Sequence, residues 1–341
     1  MTDTLVPDRI LSMGFGFFSS QTLLTATQLG VFTELGKGPK TGPELGNILG
    51  LHARGIFDFL DALVALKLLN KNGTGPTAVY SNTAEASEFL DQSSETYVGG
   101  IFTMSGSRLY RFWGDLAEAL KTGQPQSEVK HKGKPLFDEI FADEAKLRQF
   151  CSAMSGLSRH NFDVFTDKFP FANFKHHLDL GASTGILSKL AVTKHQHLKA
   201  TAFDLPAVAT VTREHVQAWG LEDRIQVVGG SFLTDKLPRA DLITLGLILH
   251  DWNLDQKRQI LRAAYEALEP GGALVVIENL IDDERRENAF GLLMSLNMLI
   301  EFGDAFDYSF ADFSGWCKDI GFTRFEKIHI HGPCSAGIAY K

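Results

Sequence analysis

Three strings in this chain combine residue types that can do chemistry. The first, Leu178-Asp179-Leu180-Gly181-Ala182-Ser183-Thr184-Gly185, joins an apolar run to a turn of small residues. Such a turn lets backbone N–H groups approach a ligand at the carboxyl end of a strand, where open α/β sheets place their ligands. The second is Asp204, 23 residues past Gly181. A carboxylate there can accept both hydroxyls of a ribose, and its plainer role is to cap the helix that Pro206 opens. The third sets His250 after the apolar run Leu242 to Leu245, with Glu278 ending a later run. A lone histidine is usually structural, but a carboxylate that fixes its tautomer makes it a candidate general base.

The glycine string admits three readings. A dinucleotide fingerprint needs glycine where Ser183 and Ile186 stand, so that reading fails twice. Gly181-x-Ser183-x-Gly185 matches a hydrolase nucleophile elbow with Ser183 as nucleophile, although it lies on the first strand of its domain with no glycine-rich oxyanion loop upstream. The third reading is the methyl-donor loop, acidic-x-Gly-x-Gly-x-Gly, matched by Asp179, Gly181 and Gly185 with Ser183 in the middle glycine position.

A domain is needed to position these groups. Beyond Pro170, short apolar runs alternate with amphipathic stretches, the signature of βα units around a parallel sheet. The spacing predicts strands near 177–180, 199–203, 225–228, 241–245 and 272–278, and helices near 184–194, 207–219, 254–268 and 287–302. A closing hairpin is expected over 322–330 and 336–340. A chain of 341 residues exceeds what one core usually serves, so a second domain is expected. Apolar residues recur at helical spacing over 8–36, punctuated by Gly30 and Gly36. Thr41 and Glu44 form a capping box ahead of a short helix to about Leu49. A third helix is expected from Ala53 to Leu69, then a turn cluster and a strand-like Ala78-Val79-Tyr80. The organisation expected is a winged-helix-like, helical pairing domain over 1–100, a helical connector over 101–170 that contributes to the active site, and a doubly wound α/β domain over 171–341.

The formal net charge is −8, and residues 1–100 carry six Lys and Arg against ten Asp and Glu. That balance argues against DNA binding through the third helix and favours self-association. The stretch from Ile10 to Phe32 has more apolar positions than one buried stripe requires, which predicts a homodimer. Phe15, Phe17, Phe18 and Phe102 lie in segments that could reach a neighbouring active site in such a dimer. Cys151, Cys317 and Cys334 form no Cys-x-x-Cys pair, which fits a reducing compartment and gives no structural zinc site. The start of the chain lacks a basic n-region, and Ile10 to Phe18 falls short of the ~20 residues that span a bilayer. A cytoplasmic enzyme with neither nucleic-acid nor membrane partner is expected.

On these strings the chain resembles the acetylserotonin and caffeate type of O-methyltransferase, a family of dimeric two-domain enzymes with a class I S-adenosylmethionine-dependent methyltransferase domain. Phe203-Asp204-Leu205-Pro206 is similar to its ribose motif, and Leu249-His250-Asp251-Trp252 to its catalytic motif. Glu269-Pro270-Gly271-Gly272 and Val275-Val276-Ile277-Glu278 are similar to the turn and strand after it, and Ser295-Leu296-Asn297-Met298-Leu299 to a substrate-facing helix. The resemblance implies S-adenosyl-L-methionine bound by Gly181, Gly185, Asp204, Leu205, Ser231 and Phe232. It implies a small phenolic, indolic or secondary-metabolite acceptor against Met154, Asn297 and Met298, with His250, Glu278 and Asp307 as the catalytic set and no metal. Leu247 removes a polar handle that some relatives carry, which predicts a flat, weakly polar acceptor.

Methyl transfer from a sulfonium is an in-line displacement that needs an oxygen nucleophile held close. Moving a proton from a phenol of pKa ~10 to an imidazole of ~6.5 costs roughly 5 kcal/mol, so proton removal accompanies attack. A placed base contributes about 10²- to 10⁴-fold. Glu278 and Asp307 are expected to hold the imidazole in the tautomer that leaves Nε2 free. Three departures from the family pattern stand out: Ser231 replaces an acidic residue, Asp307-Tyr308-Ser309 replaces a Glu-Arg-Thr string, and Ser183 replaces a glycine. They leave room for a second class of function, since some relatives use the bound cofactor's charge for hydroxylation, decarboxylation or ring closure.

Overall fold

The computed structural model of the chain describes residues 5–133, 140–141 and 143–341. Backbone contacts divide it into two units, Met1–Arg111 and Phe112–Lys341.

In the first unit the apolar stretch expected over 8–36 forms three helices, Asp8–Gly14, Gly16–Gln28 and Val31–Gly36. Gly30, at φ 75, breaks the chain between the last two. Thr41 caps the helix Gly42–Leu49 through the expected reciprocal box with Glu44. The next helix, Ala53–Ala65, stops short of the expected Leu69. Lys67 turns to φ 65, and Leu69 opens β2 (Leu69–Asn72), which pairs with β3 (Val79–Asn82) to bury Leu69. β1 (Lys40–Thr41) completes a small antiparallel sheet in the order β1-β3-β2. Phe32, Leu45, Leu60, Leu63 and Tyr80 form this unit's core. Along the first two helices Ile10, Met13, Phe15, Phe17 and Phe18 are each at least half exposed, up to 72% for Met13.

The second unit is a seven-stranded sheet in the order β6-β5-β4-β7-β8-β10-β9. Its strands are β4 (His176–Leu180), β5 (Lys199–Asp204), β6 (Ile225–Gly229), β7 (Ala240–Gly246), β8 (Leu268–Glu278), β9 (Arg324–His331) and β10 (Cys334–Tyr340). β4 to β8 run parallel, while β10 is antiparallel to both its neighbours. Leu274 and Val276 of β8 join one core and Ala273, Val275 and Ile277 the other, the period-2 alternation of a strand covered on both faces. The helices Ile186–Lys194, Pro206–Ala218, Leu254–Ala267 and Ala289–Phe302 follow the expected spacing. A further helix, Phe310–Ile320, was not expected; its sequence signal is the Ser309 and Asp312 capping box ahead of an apolar stripe. Within the helical stretch expected over 101–170, the longest helix is Glu144–Lys168, ended by Pro170. Residues 134–139 and 142 of that stretch lie outside the described residues. Among the described residues no helix is long and apolar enough to cross a membrane.

Candidate active site

Strand register brings the chemical strings together. Leu180 of β4 pairs with Phe203 of β5 and with Leu245 of β7, and Gly246 of β7 pairs with Ile277 of β8. Gly181, Asp204, Leu247 and Glu278 therefore emerge on the same carboxyl edge, where the strand order reverses beside β4.

The glycine loop is a cradle of unusual backbone. Gly181 and Gly185 sit at φ 73 and 85, and a Cβ on Gly181 would stand 2.3 Å from Ile248 Cδ1. Ser183 also adopts a left-handed φ of 52, which costs a non-glycine residue about 1–2 kcal/mol. Three bonds hold it there. Its N–H donates to Asp204 Oδ2 at 2.8 Å, its hydroxyl to the Cys151 carbonyl at 3.3 Å, and its carbonyl accepts from Thr212 Oγ1 at 2.5 Å. The Ser183 hydroxyl is thus engaged with main chain rather than with an imidazole, which does not favour the hydrolase reading. Asp204 Oδ1 accepts from the Leu205 N–H at 2.7 Å. Burial pushes this carboxyl up to about 6, opposed by the two N–H groups. Asp179 lies behind the loop, bonded to Ser188 and Thr244, and braces it.

At the far side of β5, Ser231 closes a turn. Its hydroxyl accepts from the Leu233 N–H at 3.3 Å, and its own N–H donates to Asp235. Phe232 meets Trp252 edge to face at 5.6 Å, and the buried Nε1 of Trp252 has no hydrogen-bond partner.

His250 sits on the short turn Leu249–Asp251 after β7. Leu247 enters that turn at φ 55, its N–H bonded to Ile277 of β8. The backbone strain fits a turn that the neighbouring strand over-determines. His250 Nδ1 lies 3.4 Å from Asp307 Oδ1, and Nε2 lies 3.4 Å from Asp251 Oδ1. Glu278 holds the turn itself, accepting from the Leu249 N–H at 3.0 Å. The imidazole is therefore flanked by Asp307 and Asp251, whereas Glu278 acts on the main chain beside it. Donor atoms of His250, Glu278 and Asp307 all lie within 4.8 Å of one another. Burial disfavours the imidazolium, but Glu278, Asp251 and Asp307 outweigh it and hold His250 well above the ordinary imidazole range. Burial pushes Glu278 up to about 7 against the opposing pull of His250.

Sequence reasoning passed over Asp251 as a partner, although it adjoins His250, and over Lys257. A lysine on the same helical stripe as Ile260, Leu261 and Ala264 was the available signal.

Of the expected acceptor residues, Asn297 and Met298 lie on the helix Ala289–Phe302, which packs against the His250 turn. Met298 is buried, and Asn297 Oδ1 accepts from the Trp113 indole at 2.9 Å. Met154 lies on the long helix between Cys151 and Ser155, both of which touch the glycine loop, Ser155 through Thr184 at 2.6 Å.

A glycine cradle, a carboxylate pinned by two N–H groups yet able to accept more, and an aromatic pair with an unanswered N–H suit a nucleoside with a small charged tail. This strand order, with β10 antiparallel near the edge and the crevice at the switch point, defines a class I methyltransferase. The model of the O-methyltransferase domain matches residues 113–323, and that of the O-methyltransferase dimerisation domain matches residues 11–92. The chain is 36% identical to the tetracenomycin polyketide synthesis 8-O-methyl transferase of Streptomyces glaucescens, over 98% of this chain and 97% of that one. Human N-acetylserotonin methyltransferase in complex with S-adenosylmethionine superposes with a TM-score of 0.92 at 30% identity, covering 100% of this chain and 99% of that one. An O-methyltransferase from neocarzinostatin biosynthesis, in complex with S-adenosylmethionine and 2-hydroxy-5-methyl naphthoic acid, gives 0.76 at 27% identity over 94% and 95% of the two chains. The chain belongs to the O-methyltransferase family. It is an S-adenosylmethionine-dependent methyltransferase.

Proposed function

We propose that the protein methylates a hydroxyl of a small aromatic acceptor, with His250 as general base. The observation that supports this best is a buried imidazole on a strained turn at the carboxyl edge, anchored through Leu249 by Glu278 and flanked by Asp307. S-adenosylmethionine supplies an electrophilic methyl group on a positively charged sulfur. Gly181 and Gly185 admit its approach, Asp204 and Leu205 hold the ribose, and Ser231 and Phe232 line the adenine end. Met154, Asn297 and Met298 face the acceptor, and Trp113 fixes which way the Asn297 amide points. His250 takes the acceptor's proton as the oxygen attacks, and Asp307 stabilises the imidazolium that results. The names of the relatives, a polyketide 8-O-methyl transferase and a naphthoic acid complex, favour a polycyclic phenol as acceptor.

The exposed apolar face of Ile10 to Phe18 and the match to the dimerisation domain support a homodimer. Light scattering should then give twice the chain mass of 37.6 kDa; a monomer with full activity would rule it out. Three buried, unpaired cysteines suit a reducing, cytoplasmic setting.

The reaction itself is tested by incubating the pure protein with S-adenosylmethionine and a panel of hydroxylated naphthalenes, anthracenes and indoles. The expected product gains one methyl group while S-adenosylhomocysteine accumulates in equal amount. A product that is hydroxylated, decarboxylated or cyclised, with the cofactor unconsumed, would overturn methyl transfer as the reaction.

A further inference from the structure

Under the glycine loop, one face of the sheet carries a polar stripe in an otherwise apolar core. Along β4, Leu178 and Leu180 join one core, so His177 and Asp179 face the other. Thr244 of β7 and Ser188 of the helix Ile186–Lys194 complete the stripe, and all four side chains are buried. The core on that face includes Phe171, Leu187, Leu242 and Val275, and Phe171 meets the His177 ring edge to face at 6.1 Å. Apolar side chains of similar volume would fill the same space without burying polar groups. The stripe therefore needs its own explanation.

The bonds supply one. Asp179 Oδ2 accepts from the Ser188 N–H at 3.2 Å and from its hydroxyl at 2.9 Å, and Oδ1 accepts from Thr244 Oγ1 at 3.3 Å. The Ser188 N–H belongs to the first turn of its helix, whose N-cap Gly185 has no side chain to offer. One carboxylate thus ties the strand that enters the loop to the helix that leaves it. Thr244 Oγ1 also lies 2.7 Å from His177 Nε2. A hydroxyl has a single proton. Thr244 directs it to Asp179, so it accepts from His177, and Nε2 carries the ring hydrogen. Nδ1, buried without a partner, is then a bare lone pair and not an orphaned N–H, the rarer orphan in folded chains. Burial, with His176 beside it, lowers the His177 imidazole to about 3, which makes the ring a neutral donor. Burial and the charge of Asp204 push Asp179 up to about 6, and the bonds from Ser188 and Thr244 oppose them.

We propose that His177 and Thr244 are positioning residues for the methyl-donor loop: a one-way chain of hydrogen bonds, from His177 Nε2–H through the Thr244 hydroxyl to Asp179, keeps that carboxylate an acceptor aimed at Ser188 and so clamps both ends of the loop. The role rests on this loop being where the cofactor binds, and it is independent of His250 as the base.

The test uses the full chain with 15N-labelled histidine, because 15N shifts separate a protonated ring nitrogen from a bare one. The His177 ring is assigned from His177→Gln or, if that variant does not fold, through the His176–His177 link, the chain's one His-His pair. Near neutral pH, wild type should show Nε2 protonated and Nδ1 bare. In Asp179→Asn the amide oxygen stays with the Ser188 N–H, the amide nitrogen donates to Thr244, and the Thr244 hydroxyl turns to His177. The ring hydrogen should then move to Nδ1. Thr244→Val should weaken S-adenosylhomocysteine binding by about five- to tenfold, and Thr244→Ser should bind within about twofold of wild type. If Asp179→Asn does not fold, the wild-type ring and the two Thr244 variants decide. A wild-type ring protonated on Nδ1, or a Thr244→Val variant that melts and binds like wild type, would overturn the proposal. Gly181→Ala, whose Cβ would stand 2.3 Å from Ile248, separates the two failures. If it loses binding while Thr244→Val does not, the chain of bonds is at fault; if it too binds like wild type, the loop is not the cofactor site.

Discussion

The two ends of this crevice are built on opposite principles. At the glycine loop, Asp179, Ser183 and Asp204 have their polar atoms answered within the chain, largely by main-chain N–H groups. At the His250 turn, His250 Nδ1, Glu278 Oε2, Asp307 Oδ2 and the Tyr308 hydroxyl are buried without an aligned partner. Unanswered polar groups cost about 1–3 kcal/mol each in a folded chain. Such a cluster suits the proposed base, which must change its protonation, whereas the loop has only to hold its shape. Within the loop, Ser183 should therefore tolerate replacement by glycine, and the cluster should tolerate no such change.

The sharpest break comes from His250→Ala. Methyl transfer should fall by at least about 100-fold, because a placed base contributes that much or more. Calorimetry should find cofactor affinity within about threefold of wild type, since the proposed base would touch the acceptor rather than the nucleoside. Retention of more than a tenth of the rate would remove His250 from the role.

A smaller effect is expected at Ser231. An aspartate there can offer the adenine amine a charge-assisted bond, worth about 1.5 to 3 kcal/mol against roughly 1 for a hydroxyl. After desolvation of the new carboxylate, Ser231→Asp should tighten S-adenosylmethionine binding by about two- to tenfold. The hydroxyl now closes a turn by accepting from Leu233, so the variant must melt like wild type for the comparison to count. Weaker binding in such a variant would mean that residue 231 does not face the adenine.

The smallest effect belongs to Ser183→Gly. The substitution relieves the left-handed strain at φ 52 and loses the bond to the Cys151 carbonyl, two changes of about 1 kcal/mol with opposite sign. Activity and cofactor affinity should stay within about threefold. Complete loss of activity in a folded protein would revive the nucleophile reading and erase the contrast between loop and cluster.

This contrast also explains what could be read from the sequence. The parallel strands were legible because burial on both faces makes them short continuous apolar runs, as in Leu242 to Leu245. The loop was legible because its chemistry is local: Asp179, Gly181 and Gly185 lie within seven residues of one another. The cluster is assembled from separate elements, and Asp307 could be named only through resemblance to a family. Lys257 escaped notice because a lysine on a helix ordinarily carries its charge to solvent, even where it shares a buried stripe with Ile260, Leu261 and Ala264. The helix break at Lys67 was hidden for a related reason, since it is the pairing of β2 with the distant β3 that decides it.

The central claim is that His250, held toward its charged form by buried carboxylates, must give up a proton before it can accept one from the acceptor. Its affinity is raised in the free chain, so activity should be present above the midpoint and lost as pH falls through it. The most direct measurement is the pH dependence of kcat/KM for S-adenosylmethionine beside that of kcat, at saturating acceptor. The acidic limb of kcat/KM, which reports the enzyme before the cofactor binds, should lie above the ordinary imidazole value of ~6.5. The limb of kcat should lie lower, because a cationic cofactor beside the imidazole disfavours its protonation. A kcat/KM limb at or below ~6.5, or two limbs that coincide, would contradict the account.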